Sequence, residues 1–439
     1  MGIDQLTPRA QYYIRTFSIT QSLSTFLLVL SNTFFILYSI DKIGFAQTSI
    51  TLSFSFLIQL LFDYPSGSLG DWIGQRWVLA IAYTSYGIAF FLMMFAHTFS
   101  AFMIIAFFNG FGNAQNSGSM ETWLDNNYQH VVDETDPERK IYGFSRSRVL
   151  TLTRIASAFA FMIGGILATL MTRQFVFGLQ SFLSVGFIML VLLVIKNEAG
   201  LEVSKESENK DFLAYFKAGL EFLFTKKAPF FFIFGTAFLF GAFAIWGGLI
   251  LMPIYFGYSG SDDIASALRT LAFVVGVPIS MYIAKASQRF TKEKASHFTF
   301  LFVILFFPSF TILTFLVPVK NELNLIGCIG AIVILNGLIP TIFDLGQILR
   351  QRVMIDLVPS ENRNAVYSLI PTIVSVLGIF LLPIAGTLIE EFGLPAGILA
   401  AFIVALLAAI MITLGIYFHI QEMTDISIDQ QELITTTGS

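Results

Sequence analysis

Charge is what this chain has least of. Lys, Arg, Asp and Glu make up 12% of its 439 residues and hydrophobic residues 55%, against roughly 25% charged residues in a soluble domain. That balance excludes a cytosolic enzyme and a disordered chain. A basic surplus is missing too: 25 Lys and Arg against 29 Asp and Glu give a net charge of -4. No face can neutralise a row of phosphates, which excludes nucleic acid as a partner. The single cysteine, Cys328, excludes an intramolecular disulfide and a thiol redox pair. His97, His130, His297 and His419 are scattered, without the spacing of a metal site. No G-x-x-x-x-G-K-S/T loop occurs, so ATP does not drive the protein directly, and no clustered nucleophile and base marks an enzyme. No cofactor is called for.

What the chain does have is long apolar runs. About 20 residues at 1.5 Å each cross the roughly 30 Å of hydrocarbon in a bilayer. Twelve such runs can be placed, at about 17–40, 50–64, 77–96, 101–124, 144–171, 175–195, 229–256, 264–284, 296–317, 323–345, 366–389 and 395–419. The pattern predicts an all-α membrane protein of twelve transmembrane helices, with the lipid bilayer as its solvent. The first run is too long for a signal peptide and lacks a small-residue cleavage site, so it reads as a retained helix. Lys and Arg collect in cytoplasmic loops. With the amino end inside, 20 of the 25 fall in inner segments and only Lys42, Arg173 and Lys320 in outer loops. Both termini are therefore expected in the cytoplasm, and the plasma membrane is the expected location.

Between residues 196 and 228 the composition changes, with 12 of 33 residues charged. The expected organisation is a six-helix bundle over 1–195, a cytoplasmic linker over 196–228, a second six-helix bundle over 229–420 and a flexible tail over 421–439. In the linker, Phe212, Tyr215, Phe216, Leu220 and Leu223 fall mostly along one helical face, as in a helix lying in the membrane interface. A weak repeat supports two pseudo-symmetric halves. PSGSLGDWIGQR (65–76) and PISMYIAKASQR (278–289) follow runs 2 and 8, and DPERKIY (136–142) and PSENRNAVY (359–367) follow runs 4 and 10. Parallel six-span repeats are a transporter architecture.

Two segments carry a family resemblance. SGSLGDWIGQRWVL (66–79) resembles the signature loop of the major facilitator superfamily, G-x-L-x-D-x-x-G-R/K-R/K, and stands where that family has it, inside between spans 2 and 3. Gly67, Leu69, Asp71, Gly74 and Arg76 match, while Gln75 replaces a basic residue. SGSMETWLDN (117–126) resembles the end of span 4 in an efflux-like subgroup. The resemblance implies an inner gate in which Asp71 faces the start of span 11 and Arg76 reaches Asp125 or Glu121, with Gly67 and Gly74 allowing close approach. A carboxylate at a helix N-terminus contributes about 0.3–1 kcal/mol when exposed and up to about 2 when partly buried, enough to bias a balanced equilibrium. Two positions depart from the proton antiporters of the family. Ala106 stands where they often carry arginine, and Ala160 and Phe161 replace the Gly-Pro ahead of the pair Gly164 and Gly165. Both departures weigh against drug/proton exchange and leave the superfamily resemblance intact.

An arginine in the middle of a membrane span costs on the order of 3 kcal/mol, so it points to a functional position. Arg154 lies about ten residues into span 5 and Arg269 about five into span 8. With Asn32, Asn109, Asn113, Asn116, Trp246 and Asn336 they form the candidate cavity lining; asparagines serve equally to bond neighbouring helices. Asp63 and Glu121, at the inner ends of spans 2 and 4, are candidate proton carriers, their other use being to pair with inner-loop arginines. The reading is a monomeric secondary transporter of a small organic solute, working by alternating access, with protons as the candidate coupling ion and export favoured over import. Two arginines suit an anionic or zwitterionic solute. The rival reading is a transporter-like sensor or lipid-handling scaffold that moves no solute.

Overall fold

The computed structural model describes residues 6–132, 136, 140–196, 221–317, 325–358 and 363–437, and the regular elements among them are helical. In chain order they are α1 (Pro8–Val29), α2 (Phe35–Ile73), α3 (Gln75–Met93), α4 (Phe99–Asn116), α5 (Ser119–Val131), α6 (Lys140–Leu170), α7 (Arg173–Val194), α8 (Lys227–Ile245), α9 (Leu251–Ser259), α10 (Asp262–Ala286), α11 (Ala295–Leu316), α12 (Leu325–Gly337), α13 (Ile339–Leu357), α14 (Arg363–Phe392) and α15 (Leu394–Thr437). Residues 212–220 of the expected interfacial helix lie outside the described residues.

The side chains of Thr7, Thr98 and Thr172 accept from the backbone N–H groups of Ala10, Ala101 and Phe175, satisfying donors that a helix start leaves unpaired. Breaks fall at glycine and proline. Gly44 takes φ 77° inside α2 and Gly118 φ 70° between α4 and α5, conformations open chiefly to glycine. A π-helical turn, Trp246–Ile250, joins α8 to α9, and Pro340 sits in the first turn of α13, where its missing N–H costs nothing.

Long-range hydrogen bonds show which helix ends meet. Thr7 Oγ1 donates to the Val131 carbonyl at 3.0 Å and Trp123 Nε1 to that of Lys196 at 3.1 Å, so α1 starts where α5 and α7 finish. We call this end the base. At the opposite end, the top, Arg173 bonds Asp41 and Asp262, which gathers the starts of α2, α7 and α10. Following the helices from these contacts puts the start of α1 and the end of α15 both at the base. Helices α1–α7 pack chiefly on one another, as do α8–α15, and the two groups meet where α2 lies along α14 and α6 along α10.

Phenylalanine serves two surfaces. Phe302, Phe306, Phe307 and Phe310 are buried along α11, while Phe182 and Phe315 are 74% and 76% exposed, an outward apolar surface suited to lipid. Among the described residues nine helices are long and apolar enough to cross a membrane. Three of the twelve expected spans are not in that set, although α1, α4 and α10 have 22, 18 and 25 residues. Serine, threonine and glutamine make α1 more polar, and the asparagines do so in α4, whereas α10 is mostly apolar from 264 to 281 apart from Arg269 and part of its side chains lies outside the described set.

Several boundaries differ from the expected ones. Helix α1 spans Pro8–Val29 and α2 starts at Phe35, where the sequence pattern places runs at 17–40 and 50–64. Helix α2 continues through Pro65 to Ile73, so much of the signature segment is helical. Helix α13 runs past 345 to Leu357 and takes up Arg350 and Arg352, which the sequence pattern assigns to an inner loop. The segment from 421, expected as a flexible tail, continues α15 to Thr437; no glycine or proline stands between Gly415 and Gly438 to end the helix.

Candidate functional site

Arg154 of α6 faces the second group of helices. It lines a cavity of about 320 Å³ with Tyr255, Arg269, Asn336, Thr341 and Asp344, drawn from α9, α10, α12 and α13. That volume is at the small-molecule end of binding cavities. Arg269 is held in place: its Nη1 donates to Asn32 Oδ1 at 2.8 Å and its guanidinium carbon lies 3.8 Å from the centre of the Phe161 ring. Stacking occupies the face of the guanidinium and leaves further N–H donors at its edge. Two guanidiniums and one carboxylate leave a surplus of one positive charge. The arrangement can take a carboxylate or phosphate through charge-assisted hydrogen bonds, and Asp344 adds a carboxylate to the same wall.

The structure brings Asn32, Arg154, Arg269 and Asn336 together, and the Asn336 amide also donates to the Ile332 carbonyl at 3.3 Å. The other proposed lining residues lie elsewhere. Asn113 accepts from the Tyr86 hydroxyl at 2.8 Å and Asn116 bonds the same tyrosine, so both join α4 to α3. Asn109 lines a separate space of about 40 Å³ between α2 and α4. Trp246 is 4% exposed and packs edge-on against Phe306 and Phe307 and tilted against Phe310. It is a core residue of the second group rather than a cavity wall.

Of the gate residues, the side chains at 64–68 and 71 lie outside the described set, which includes Gly67 and Asp71. Gly74 takes φ 87° at the turn from α2 to α3. The Arg76 guanidinium lies 5.3 Å from the centre of the Trp77 ring, and Asp125 accepts from the Tyr142 hydroxyl of α6. Asp63 accepts from Ser117 at the α4–α5 break. Glu121, half-buried in the first turn of α5, lies near Tyr83.

Above the cavity the two groups are sealed. The break at Gly44 leaves the lower stretch of α2 with a free N-terminus, and Glu390, from the end of α14, caps it by accepting the Ala46 N–H at 2.6 Å. Arg173 donates to Asp262 at 2.8 and 2.9 Å and to Asp41 at 2.6 Å, with Phe256 under its guanidinium. Ser53 donates to the Ile379 carbonyl at 2.6 Å and Thr270 to that of Ala158 at 3.1 Å. Gly165 and Gly386 have no room for a Cβ against Ser266 and Ser49 of the opposite group. These contacts run from the top to the level of Ala158, one turn above Arg154. Sequence reasoning did not single out Asp41, Arg173, Asp262 or Glu390. The available signals were Gly44, between the first and second apolar runs, and acidic pairs at the tops of α10 and α14.

Among solved structures, the nucleoside transporter NupG superposes with a TM-score of 0.72 at 16% identity, over 93% of this chain and 99% of that one. A bacterial homologue of the human lysosomal transporter Spinster, in an inward-facing and unoccupied conformation, gives 0.67 at 14% identity over 94% and 98%. A POT family transporter in complex with 5-aminolevulinic acid gives 0.65 at 12% identity over 95% and 100%. At such identities the likeness concerns the fold alone. Comparison with curated proteins finds no match. The family model of the Major Facilitator Superfamily matches residues 17–349.

Proposed function

Because the chain belongs to the Major Facilitator Superfamily, and is thus a multi-pass membrane transport protein and not an enzyme, we propose that it is a secondary transporter of small zwitterionic or anionic organic solutes. It works as a monomer by alternating access between two six-helix halves, 1–195 and 229–420. Counting α4–α5, α8–α9 and α12–α13 as single broken passes gives twelve spans. The Lys and Arg distribution supports the base as the cytoplasmic side of the plasma membrane.

The observation that carries this reading is the cavity where Arg154 of the first half stands with Arg269, Asn336 and Asp344 of the second. Two cationic groups and one anionic group, contributed by surfaces that move relative to each other, give a solute different contacts in each state. A transporter of the same fold holds 5-aminolevulinic acid, a small amino acid and so a solute of the proposed class. At the base, Arg76 lies on Trp77 and Asp125 accepts from Tyr142, contacts that support a pair of latch residues able to exchange partners. In the opposite state Asp71 caps the start of α14 and Arg76 bridges to Asp125 or Glu121. Export, and proton coupling through Asp63 and Glu121, belong to the same proposal.

Counterflow into proteoliposomes preloaded with amino acids, carboxylates and short peptides tests it. At least one zwitterion or anion is expected to exchange saturably, and Arg154→Met and Arg269→Met are expected to abolish that exchange. No exchange with any compound would favour a sensor or scaffold. Coupling is tested apart, since Asp63→Asn with Glu121→Gln is expected to remove the response to a pH gradient while leaving counterflow.

A further inference from the structure

Arg350 is 4% exposed on α13, and neither of its contacts carries charge. Its Nη1 donates to Thr299 Oγ1 of α11 at 2.7 Å, and its guanidinium lies 4.9 Å from the centre of the Phe343 ring. Among the described residues no carboxylate pairs with it. Gly346 gives the guanidinium its room, since a Cβ there would stand 3.1 Å from Nη1. A buried cation held only by neutral partners is costly, and such groups recur where an anion binds.

The same arginine lines a cavity of about 470 Å³ between α8, α13 and α14. Gln347 and Gln351 flank it, and Phe232, Phe240 and Ile370 supply apolar walls. At spacings of three and four residues, Gln347, Arg350 and Gln351 share one side of α13. One fixed cation, two amides that donate N–H groups and an apolar sleeve are complementary to an amphiphilic anion. We propose that this cavity is a second binding site, separate from the central one, for a carboxylate or phosphate carried on a hydrocarbon body. The anionic group meets Arg350 and the chain lies against Phe232, Phe240 and Ile370. A dissolved amphiphile and a phospholipid head group present this chemistry alike.

The full chain, purified in a neutral detergent, is titrated calorimetrically with decyl phosphate and with decanoate, both below their micellar concentrations. Arg350→Met removes the charge, keeps the bulk and strands no buried counter-charge among the described residues. Ile370→Trp fills the cavity and leaves the charge. Both are expected to weaken binding at least tenfold, the usual worth of a charge-assisted hydrogen bond, while Arg350→Lys retains part of it. Nanodiscs of phosphatidylcholine with and without phosphatidylglycerol identify the source. Displacement of decyl phosphate by phosphatidylglycerol assigns the site to a membrane lipid, and no displacement assigns it to a dissolved amphiphile; either supports the site. Equal binding by wild type and a folded Arg350→Met, or no binding by wild type, overturns it. The transport reading stands or falls on counterflow, and Arg154→Met is expected to lose counterflow and keep decyl phosphate binding.

Discussion

Arg269 is positioned by a residue that departs from the antiporter pattern. Where that pattern has proline, Phe161 stands, and its ring carries the guanidinium at 3.8 Å. A cation–π contact contributes about 0.5–2 kcal/mol, so Phe161→Leu is expected to raise the half-saturating solute concentration roughly 2- to 30-fold with little change in melting temperature, and Phe161→Tyr to preserve it. An unchanged transport constant in Phe161→Leu would show that the ring only fills space. Trp246 makes the opposite case. Enclosed by Phe306, Phe307 and Phe310, it is expected on truncation to alanine to cost about 3–5 kcal/mol of stability, read as a lower melting temperature, with solute affinity retained in the folded fraction. The sequence makes Arg154 and Arg269 legible because a cation in an apolar run has few structural uses. It leaves Trp246, Asn113 and Asn116 ambiguous, since an indole packs a core as readily as it walls a cavity and a tyrosine satisfies an asparagine as well as a solute does.

Hydropathy finds apolar stretches, which are not the same as helices. It stops α13 at 345 because Gln347, Arg350 and Arg352 follow, yet the backbone continues to Leu357 and the polar turns face a cavity. It puts Gly44 in a loop between the first and second runs, whereas α2 passes through this position with a break at which the glycine takes φ 77°. The break matters because it lets a carboxylate of the second half cap a helix of the first. Removing a cap costs about 0.5–2 kcal/mol, so Glu390→Ala is expected to shift the closed–open balance at the top roughly 2- to 30-fold toward open. Phe95 and Phe392, 62% and 69% exposed at the top of α3 and α14, are suitable positions for spin labels in a Cys328→Ser background. Double electron–electron resonance between them should show a longer-distance population that grows in Glu390→Ala. An unaltered distance distribution would leave Glu390 as a local cap with no part in closure.

At the scale of the molecule, the proposed alternating access makes the top seal and the central cavity one state of two, with Arg173 as the link that holds the seal. The Asp262 and Arg173 side chains are 10% and 14% exposed, whereas Asp41 is 60% exposed. The pair with Asp262 is therefore the one that solvent screens least, and the pair with Asp41 contributes little. Removing one member of a partly buried pair strands the other, while neutralising both leaves no bare charge. Arg173→Met is thus expected to open the top more than Arg173→Met with Asp262→Asn, an ordering that simple loss of contacts does not give. Thr341, on the cavity wall, supplies the readout as Thr341→Cys in the Cys328→Ser background. A membrane-impermeant maleimide should label it slowly from outside intact cells and quickly in inverted vesicles. The outside rate should rise severalfold in Arg173→Met and by less in the double variant. Fast labelling from outside with Arg173 and Asp262 both intact would mean that the top seal does not close the route to the cavity, and alternating access through these contacts would then fail.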